Sequence, residues 1–269
     1  METFETATAL TRRGDDTYSW LIPDGWQQGR GAWGGLVVGA LLRAVEASEP
    51  DLDRTIRSVS ASLVAPAVVG EHIIRTAVVR RGSAVTTASA TLTDGSGVQV
   101  ATATVIMGAP RSVEGEPDYA SWSMLSAPDA PAPSEVPVLD LAPPIGPAFL
   151  QHFAPRVVAG VPAEGGRAET LGWIDYAQAV TPSAASVLAL VDAWWPASLV
   201  ARDSMRPVAT VGFTANLVVE PSTLRAGEPL LHHAFVSAAD EGYTSEHRRL
   251  WTAEGRLVVD NLQSIVMIA

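Results

Sequence analysis

The chain has 269 residues, of which 47% are hydrophobic and 17% are charged, and its formal net charge is −11. This composition predicts a folded protein of one large or two ordinary domains and argues against a disordered chain. The acidic balance argues against a nucleic-acid partner, which normally requires a basic face. The absence of cysteine excludes disulfides, thiol nucleophiles and thiolate metal sites.

The sequence contains no recognisable targeting or membrane segment. Residues 1–5 lack the basic start and apolar core of a secretory signal. No apolar run approaches the roughly 18 residues that a membrane span needs. We therefore expect a soluble, cytoplasmic protein with no membrane partner.

The first half of the chain predicts one buried helix followed by β-strands. Four glycines in residues 29–35 lead into an apolar run whose spacing predicts a helix that is apolar on almost every side. Bare N–H groups at its start, near Gly34 and Gly35, could hold a carbonyl oxygen or a phosphate. Close helix–sheet packing explains these glycines equally well. Strands are predicted over residues 56–64, 71–80, 84–93 and 97–107.

The second half repeats this order after a proline-rich linker. Residues 110–147 contain nine of the 19 prolines, which predicts an extended linker over the surface. Beyond the linker a helix is predicted over residues 183–195, with Ser183 as its candidate N-cap. Strands are predicted over residues 153–159, 172–177, 207–219, 230–238, 245–252 and 256–268.

An offset of 160 residues aligns the two halves of the sequence. It places Gly82 on Gly242 and Gly95 on Gly255. Together with the matched order of helix and strands, these pairs predict an internal duplication. The predicted parts are an N-terminal unit of residues 1–109, a linker of residues 110–150 and a C-terminal unit of residues 151–269.

Two polar residues of the second half stand out because their neighbours are apolar. Asp192 lies in the apolar predicted helix, where a carboxylate is costly unless it is paired and where its pKa tends to rise. Gln263 interrupts the last apolar strand, and the offset pairs it with Ala103. A duplicated fold with one working site could show this asymmetry. A surface or capping role for Asp192 and an ordinary strand contact for Gln263 are the alternatives.

Several other catalytic patterns are missing from the sequence. No Gly-x-Ser-x-Gly motif is present, which argues against an α/β-hydrolase serine. His232 and His233 are adjacent, so on a strand they would face opposite ways, and we predict no metal site. Thr210, taken alone, is an ordinary strand threonine.

The sequence resembles a known family over essentially its whole length. Residues 32–41, AWGGLVVGAL, resemble the start of the helix in acyl-CoA thioesterase II proteins. Residues 255–263, GRLVVDNLQ, are similar to the closing hairpin of that family. These proteins carry two hotdog units in one chain. The resemblance implies an α+β double hotdog with two antiparallel sheets, each wrapped around a long central helix.

The resemblance also implies a reaction and the residues that perform it. In that family an Asp, a Thr and a Gln hold the water that hydrolyses an acyl-CoA thioester to a free acid and coenzyme A, without a cofactor or metal. The matching residues are Asp192, Thr210 and Gln263, with the backbone N–H groups of Gly34 and Gly35 for the oxyanion. Gly212 and Phe213 depart from the family pattern, in which Asp and His are common, and would alter the pocket wall.

An acyl-CoA substrate would require an apolar wall for its acyl chain and positive charge for its phosphates. The candidates are Trp33, Trp194, Trp195, Phe213 and Arg248. Ordinary core packing explains the aromatic residues, and a solvated surface explains the arginine. For the whole chain the alternatives are a non-catalytic acyl-CoA binding protein with a degenerate site, a hotdog hydratase and a dimerisation module. A hydratase would need a nearby Asp–His pair that the sequence lacks, and homodimer formation stays open.

Overall fold

The computed structural model of the chain describes residues 2–111 and 119–268. Both halves consist mainly of strands with one helix packed against them. The elements of the first half are α1 (Phe4–Ala7), β1 (Leu10–Gly14), β2 (Thr17–Ile22), β3 (Gln27–Gln28), β4 (Gly31–Ala32), α2 (Gly34–Ser48), β5 (Thr55–Leu63), β6 (Gly70–Arg81), β7 (Val85–Thr93) and β8 (Gln99–Gly108). Those of the second half are β9 (Arg156–Ala159), β10 (Glu169–Ile174), α3 (Ala184–Leu190), β11 (Val208–Leu217), β12 (Leu230–Asp240), β13 (Tyr243–Trp251) and β14 (Leu257–Met267). Short 3-10 helices lie at Tyr119–Trp122, Pro133–Glu135, Ala148–His152, Ala197–Leu199 and Pro221–Thr223.

Twelve strands form one continuous antiparallel sheet in the order β1-β2-β6-β7-β8-β5-β11-β14-β13-β12-β10-β9. The halves meet at β5 and β11, where Ser60 pairs with Thr214 and their hydroxyl oxygens lie 3.2 Å apart. The short strands β3 and β4 pair separately. Backbone hydrogen bonds between β5 and β11 thus join the two predicted antiparallel sheets edge to edge into one.

Helix α2 lies buried against one face of the sheet, which we call the inner face. Its Leu36, Leu41 and Leu42 are fully buried, and burial of each such side chain contributes about 1.5–3 kcal/mol. A Cβ atom at Gly39 would lie 2.6 Å from the Phe4 ring, so this helix position requires a glycine for close packing. The predicted buried helix is confirmed. No helix among the described residues is long and apolar enough to cross a membrane.

Helix α3 is shorter than the sequence predicts. Ser183 caps it as predicted, since its Oγ accepts a hydrogen bond of 3.1 Å from the N–H of Ser186. The helix nevertheless ends at Leu190 instead of residue 195. Beyond Leu190 the N–H groups of Asp192 and Ala193 donate to carbonyls three residues earlier instead of four, so the chain leaves the α-helical path well before Pro196. The second helix is thus not the long central helix expected, and Asp192 lies in the irregular stretch that follows it.

Matching irregularities fix the register of the internal repeat. A β-bulge at Val79 in β6 corresponds to one at Ser237 in β12. Gly97 and Gly255 close the two hairpin turns with φ angles of +86° and +82°. Both pairs are 158 residues apart, so the predicted offset of 160 is wrong by two residues.

The corrected register changes the partner of each second-half residue. A shift of two residues keeps a side chain on its face of the sheet but moves it along the strand. The counterpart of Gln263 is therefore Val105 instead of Ala103. Both Val105 and Gln263 are fully buried, so the asymmetry between the halves persists in the corrected alignment.

Some residues of the proline-rich linker pack on the outer face of the second half. The indole N–H of Trp173 donates a hydrogen bond of 2.9 Å to the carbonyl of Pro131. Val136 packs with Leu231 and Trp251 of the outer face. The bounds of the predicted linker stay a prediction, and its residues 112–118 lie outside the described part of the chain.

Candidate active site

A cluster of polar side chains lies on the inner face of the second half. Strands β13 and β14 direct Glu246, Arg248, Asn261 and Gln263 inward, and each of these residues is at most 1% exposed. The alternation of strand side chains puts these residues on one face, because they occupy every second position of paired strands. Buried polar groups are costly unless they are hydrogen-bonded, so their contacts must be accounted for.

Asp192, Gln263 and Thr210 form one hydrogen-bonded chain within this cluster. The Gln263 Nε2 donates to Asp192 Oδ1 at 2.9 Å, and the Thr210 hydroxyl donates to Gln263 Oε1 at 2.9 Å. The amide of Gln263 thus contacts both of its partners and has a defined orientation. The structure brings together the three residues that the sequence singled out.

A β-bulge aims Thr210 at this cluster. Val211 is an extra residue in β11, so that Thr210 pairs with Ile265 while Gly212 pairs with Ser264. Thr210 and Phe213 are three residues apart, so in a strand without a bulge they would lie on opposite faces of the sheet, because strand side chains alternate. The bulge brings Thr210 to the inner face. Thr210 is half-buried, unlike the enclosed Gln263.

The first residues of α2 contact the carboxylate of Asp192. A Cβ atom at Gly34 would lie 3.0 Å from Asp192 Oδ2, and the nearby N–H of Gly35 acts to lower the pKa of this carboxylate. The indole N–H of Trp33 donates to the Asp192 backbone carbonyl at 3.0 Å. The positive end of a first-half helix therefore stabilises the charge of a second-half aspartate. Of these two glycines, Gly35 is the one whose N–H acts on the pKa of Asp192.

Arg248 lies inside the protein and not on the surface patch expected from its sequence neighbours. Its Nη1 lies 3.4 Å from Asp192 Oδ1 and donates to the Trp194 carbonyl at 3.1 Å. Its Nε donates to Glu246 Oε1 at 2.8 Å. The guanidinium is enclosed by these partners, so it presents no exposed edge to a phosphate. Sequence reasoning assigned Arg248 to a surface cluster and gave Glu246 no role in the site.

Burial perturbs the titratable groups of the cluster. Burial raises the pKa of Asp192, while Arg248, Gln263 and the Gly35 N–H oppose the shift. Burial likewise raises the pKa of Glu246 against the opposing effect of Arg248. Burial, with help from the nearby Arg248 charge, holds the pKa of His232 well below its ordinary value. The site therefore combines basic carboxylates with a neutral imidazole.

The first half has an aliphatic residue wherever the second half has a member of this cluster. In the corrected register the strand pairings of the two halves match one to one. The counterparts are Ile56 for Thr210, Ala88 for Glu246, Ala90 for Arg248, Ala103 for Asn261 and Val105 for Gln263. The two halves of the duplicated fold thus differ at these strand positions, which are polar in the second half and aliphatic in the first.

Comparisons with known proteins agree with this asymmetric duplicated fold. Residues 22–108 match the family model for the acyl-CoA thioesterase N-terminal domain, and residues 124–267 match that for the acyl-CoA thioesterase C-terminal domain. The chain belongs to the acyl-CoA thioesterase family. It is a thioesterase enzyme, as the sequence predicts. A comparison with curated proteins found no match.

Solved structures show that this thioesterase has a hotdog fold. A conserved hotdog protein from Alicyclobacillus acidocaldarius is 24% identical, with a TM-score of 0.88 over 100% of this chain and 99% of that one. A provisionally assigned thioesterase II from Thermobifida fusca YX is 26% identical, with a TM-score of 0.84 over 100% and 98%. An acyl-CoA thioesterase II from Mycobacterium marinum is 15% identical, with a TM-score of 0.77 over 99% and 98%.

The aromatic residues predicted to bind substrate in the thioesterase are largely buried. Trp33, Trp194 and Phe213 are at most 2% exposed. Trp33 lies over Asp192, and Phe213 pairs with Gln263 across β11 and β14. The half-buried Trp195 donates its indole N–H to Gly160 at 2.9 Å. The structure thus brings Trp33 and Phe213 directly to the polar cluster.

Gly212 of the thioesterase lies outside the cluster. It pairs with Ser264 and Ser62 on the exposed outer face. A Cβ atom built at Gly212 would meet Ser264 at an ordinary contact distance of 3.4 Å. The departure from the family pattern at Gly212 therefore does not alter the wall of the buried site, contrary to the expectation from the sequence. It no longer favours a degenerate, non-catalytic protein.

A cavity of about 440 Å³ lies beside α3, away from the polar cluster. Neither Asp192 nor Thr210 nor Gln263 lines it. Its apolar lining includes Tyr176, Val180, Val187, Leu190, Leu224 and Leu230. Within the described ranges, no three His, Asp or Glu side chains are grouped so that they could hold a metal ion.

Proposed function

We propose that the thioesterase hydrolyses acyl-CoA by direct attack of water, with Asp192 as the general base and with Thr210 and Gln263 as the residues that position the water. The observation that carries the proposal is the hydrogen-bonded chain from Thr210 through Gln263 to Asp192. In the first half, Val105 and Ile56 occupy the positions of Gln263 and Thr210 and cannot form such a chain. A carboxylate with a raised pKa is a stronger base than an ordinary aspartate, which supports this role.

The proposed reaction uses the free side of the Asp192 carboxylate. Gln263 and Arg248 contact Oδ1, so Oδ2, beside Gly34, accepts a proton from the water as its oxygen bonds to the thioester carbonyl carbon. The carbon–sulfur bond then breaks, and the coenzyme A thiolate takes the proton from Asp192. The products are a free acid and coenzyme A, with the base restored. Such general-base assistance is worth about 10²–10⁴-fold in rate.

We assign the developing oxyanion to the N–H of Gly34. The start of α2 carries a positive partial charge, and its N–H groups can stabilise an anion that forms in the transition state. The sequence suggested both Gly34 and Gly35, but the contact between Asp192 and the Gly35 N–H supports Gly34 as the donor. Gly35 then holds the base itself.

The residues around the cluster support an acyl group as the substrate part that binds there. Phe213 and Trp33 provide apolar surface beside Gln263 and Asp192. Both rings are buried, so binding of a substrate requires them to shift. Trp194, whose carbonyl is held by Arg248, completes this apolar wall.

Substitution of Asp192 by asparagine tests the proposed base. Asp192→Asn keeps the size of the side chain but removes its basicity, so we expect kcat to fall by about 10²–10⁴-fold with KM changed far less. Release of free thiol from short, medium and long acyl-CoAs measures the rate. The matched control is Asp175→Asn, an aspartate of the same half outside the cluster. Unchanged turnover in a folded Asp192→Asn protein would remove Asp192 from the mechanism.

A further inference from the structure

Arg248 and Glu246 have no role in the water attack described above, yet they occupy the centre of the site. Both are at most 1% exposed. A buried ion pair is often no more stabilising than apolar residues of similar volume, so its presence does not follow from stability. In the first half, the corresponding positions are occupied by the apolar residues Ala88 and Ala90. The pair therefore requires an explanation specific to the half that contains Asp192.

The pair fastens the irregular stretch that carries Asp192 to the sheet. Because α3 ends at Leu190, residues 191–196 lack regular helical hydrogen bonds. Arg248 reaches Asp192 Oδ1 at 3.4 Å and the Trp194 carbonyl at 3.1 Å. Glu246 Oε2 accepts a hydrogen bond of 2.8 Å from the N–H of Ala197. Two side chains of one strand thus hold the stretch at the base and in the residues that follow it.

We propose that Arg248 and Glu246 are positioning residues that hold Asp192 against Gln263 and set its basicity. This inference rests on the proposed role of Asp192 as the general base. Arg248 stabilises the negative charge of Asp192, and Glu246 limits how strongly it does so. The two residues act in opposite directions on the same carboxylate.

The distances support this division of roles. The Arg248 Nε to Glu246 Oε1 distance is 2.8 Å, whereas its Nη1 to Asp192 Oδ1 distance is 3.4 Å. Arg248 therefore pairs more closely with Glu246 and only partly neutralises Asp192. A closer pairing with Asp192 would make this carboxylate a weaker base. Glu246 consequently keeps Asp192 basic.

The remaining groups around Asp192 do not duplicate the charge of Arg248. Helix α2 provides backbone N–H groups, and β11 and β14 provide the neutral Thr210 and Gln263. Strand β12 provides His232, which burial holds neutral at ordinary pH. Within the described chain, Arg248 is thus the cationic side chain in contact with this carboxylate.

Rate–pH profiles of three variants of the full chain test the pair. Removal of the positive charge in Arg248→Met should lower kcat by about 10–100-fold and move the acid limb of kcat/KM to higher pH. Glu246→Gln frees the guanidinium for Asp192 and should move that limb to lower pH. Arg248→Lys should recover part of the rate. Arg249→Met, an arginine of the outer face paired with Asp260, is the matched control and should leave the profile unchanged.

The result that overturns the inference is an unchanged acid limb in folded Arg248→Met and Glu246→Gln proteins. If the pair were purely structural, the two substitutions would change the stability of the protein but would not move the acid limb of kcat/KM in opposite directions. If Arg248→Met does not fold, Glu246→Gln and Arg248→Lys decide by the same criterion. Asp192→Asn, measured alongside, separates the two proposals. If Asp192→Asn is inactive but Arg248→Met and Glu246→Gln leave the acid limb unmoved, only the positioning role of the pair is refuted. If Asp192→Asn is active, both the positioning role and the proposed general base are refuted.

Discussion

Gln263 joins the polar groups of the site, because its amide contacts partners on both sides. Its nitrogen donates to Asp192 and its oxygen accepts from Thr210. The nitrogen also lies 3.1 Å from Asn261 Oδ1. An amide bonded in this way has one orientation, so the Thr210 hydroxyl hydrogen is committed to Gln263. The lone pairs of that hydroxyl are then free to accept a hydrogen bond from the attacking water.

Loss of the Thr210 hydroxyl should therefore reduce turnover. Thr210→Val leaves Gln263 Oε1 without its 2.9 Å donor and removes one acceptor for the water. We expect kcat to fall by about 10-fold, which corresponds to the roughly 1–1.5 kcal/mol of one neutral hydrogen bond. Thiol release measures the change. Thr214→Val, on the outer face of the same strand, should remain fully active, and equal losses in the two variants would contradict the role of Thr210.

Sequence reasoning found some of these residues and missed others for identifiable reasons. Asp192 and Gln263 are polar residues in apolar segments, so their local context marks them. Arg248 lies between His247 and Arg249, and the run of positive residues suggested a surface patch. The strand alternation of β13 carries the correct signal, since Glu246, Arg248 and Leu250 share its buried face. The 3.4 Å contact with Asp192 joins residues 56 positions apart, which no local pattern can predict.

At the scale of elements, the start of α2 and the end of α3 together build the site. The sequence predicts both helices and the Ser183 cap, because these depend on local spacing and capping. It does not predict that α3 ends at Leu190, since the apolar run continues to Trp195. Nor does it predict the bulge at Val211, which depends on pairing with β14. The positions of Asp192 and Thr210 depend on these two irregularities.

The close packing at the start of α2 predicts a severe effect of a single methyl group. A Cβ atom at Gly35 would lie 2.2 Å from the Trp33 ring, whose N–H holds the Asp192 carbonyl. Gly35→Ala should therefore destabilise the protein by about 1–3 kcal/mol and lower kcat, because the ring must move. Denaturant unfolding and thiol release measure both effects. Gly14→Ala, which meets nothing within 4 Å, is the control, and a fully active and stable Gly35→Ala protein would refute this packing.

At the scale of the whole molecule, one sheet contains two homologous halves with different inner faces. The sequence predicts the duplication and the family, and both the family and the hotdog fold are confirmed. It misplaces the repeat by two residues, because the first turn contains both Gly95 and Gly97 and only the backbone φ angle shows that Gly97 is the equivalent of Gly255. The β5–β11 pairing joins the two predicted sheets edge to edge into one, through strands that are far apart in sequence. Contacts between the halves, such as that of Trp33 with Asp192, follow from this pairing.

Glu46, in the last part of α2, should make the free energy of unfolding of the protein depend on pH. Burial raises its pKa from 4.5 to about 7, and Glu220 after β11 adds to the shift, against the effect of Arg43. Because the folded state holds this proton more tightly, the associated stability is present below about pH 4.5 and is lost as pH rises through about 7.

Replacement of Glu46 by glutamine should remove this dependence. Glu46→Gln should gain roughly 2–3 kcal/mol relative to the wild type between pH 5 and pH 8, since one pKa unit corresponds to about 1.4 kcal/mol. Urea unfolding at the two pH values gives the difference. Glu241→Gln, at an exposed turn, should show no such change. Parallel stability–pH curves for Glu46→Gln and the wild type would contradict the burial of this carboxyl group.

The pH dependence of kcat/KM, compared between the wild type and Asp192→Asn, tests whether Asp192 is the base. The wild-type rate should rise with pH through a carboxyl group whose pKa lies above the ordinary 3.8, because burial raises it and the base acts when ionised. The residual rate of Asp192→Asn should lack this limb and lie about 10²–10⁴-fold lower. A folded Asp192→Asn protein that keeps both the rate and the limb would show that another group activates the water.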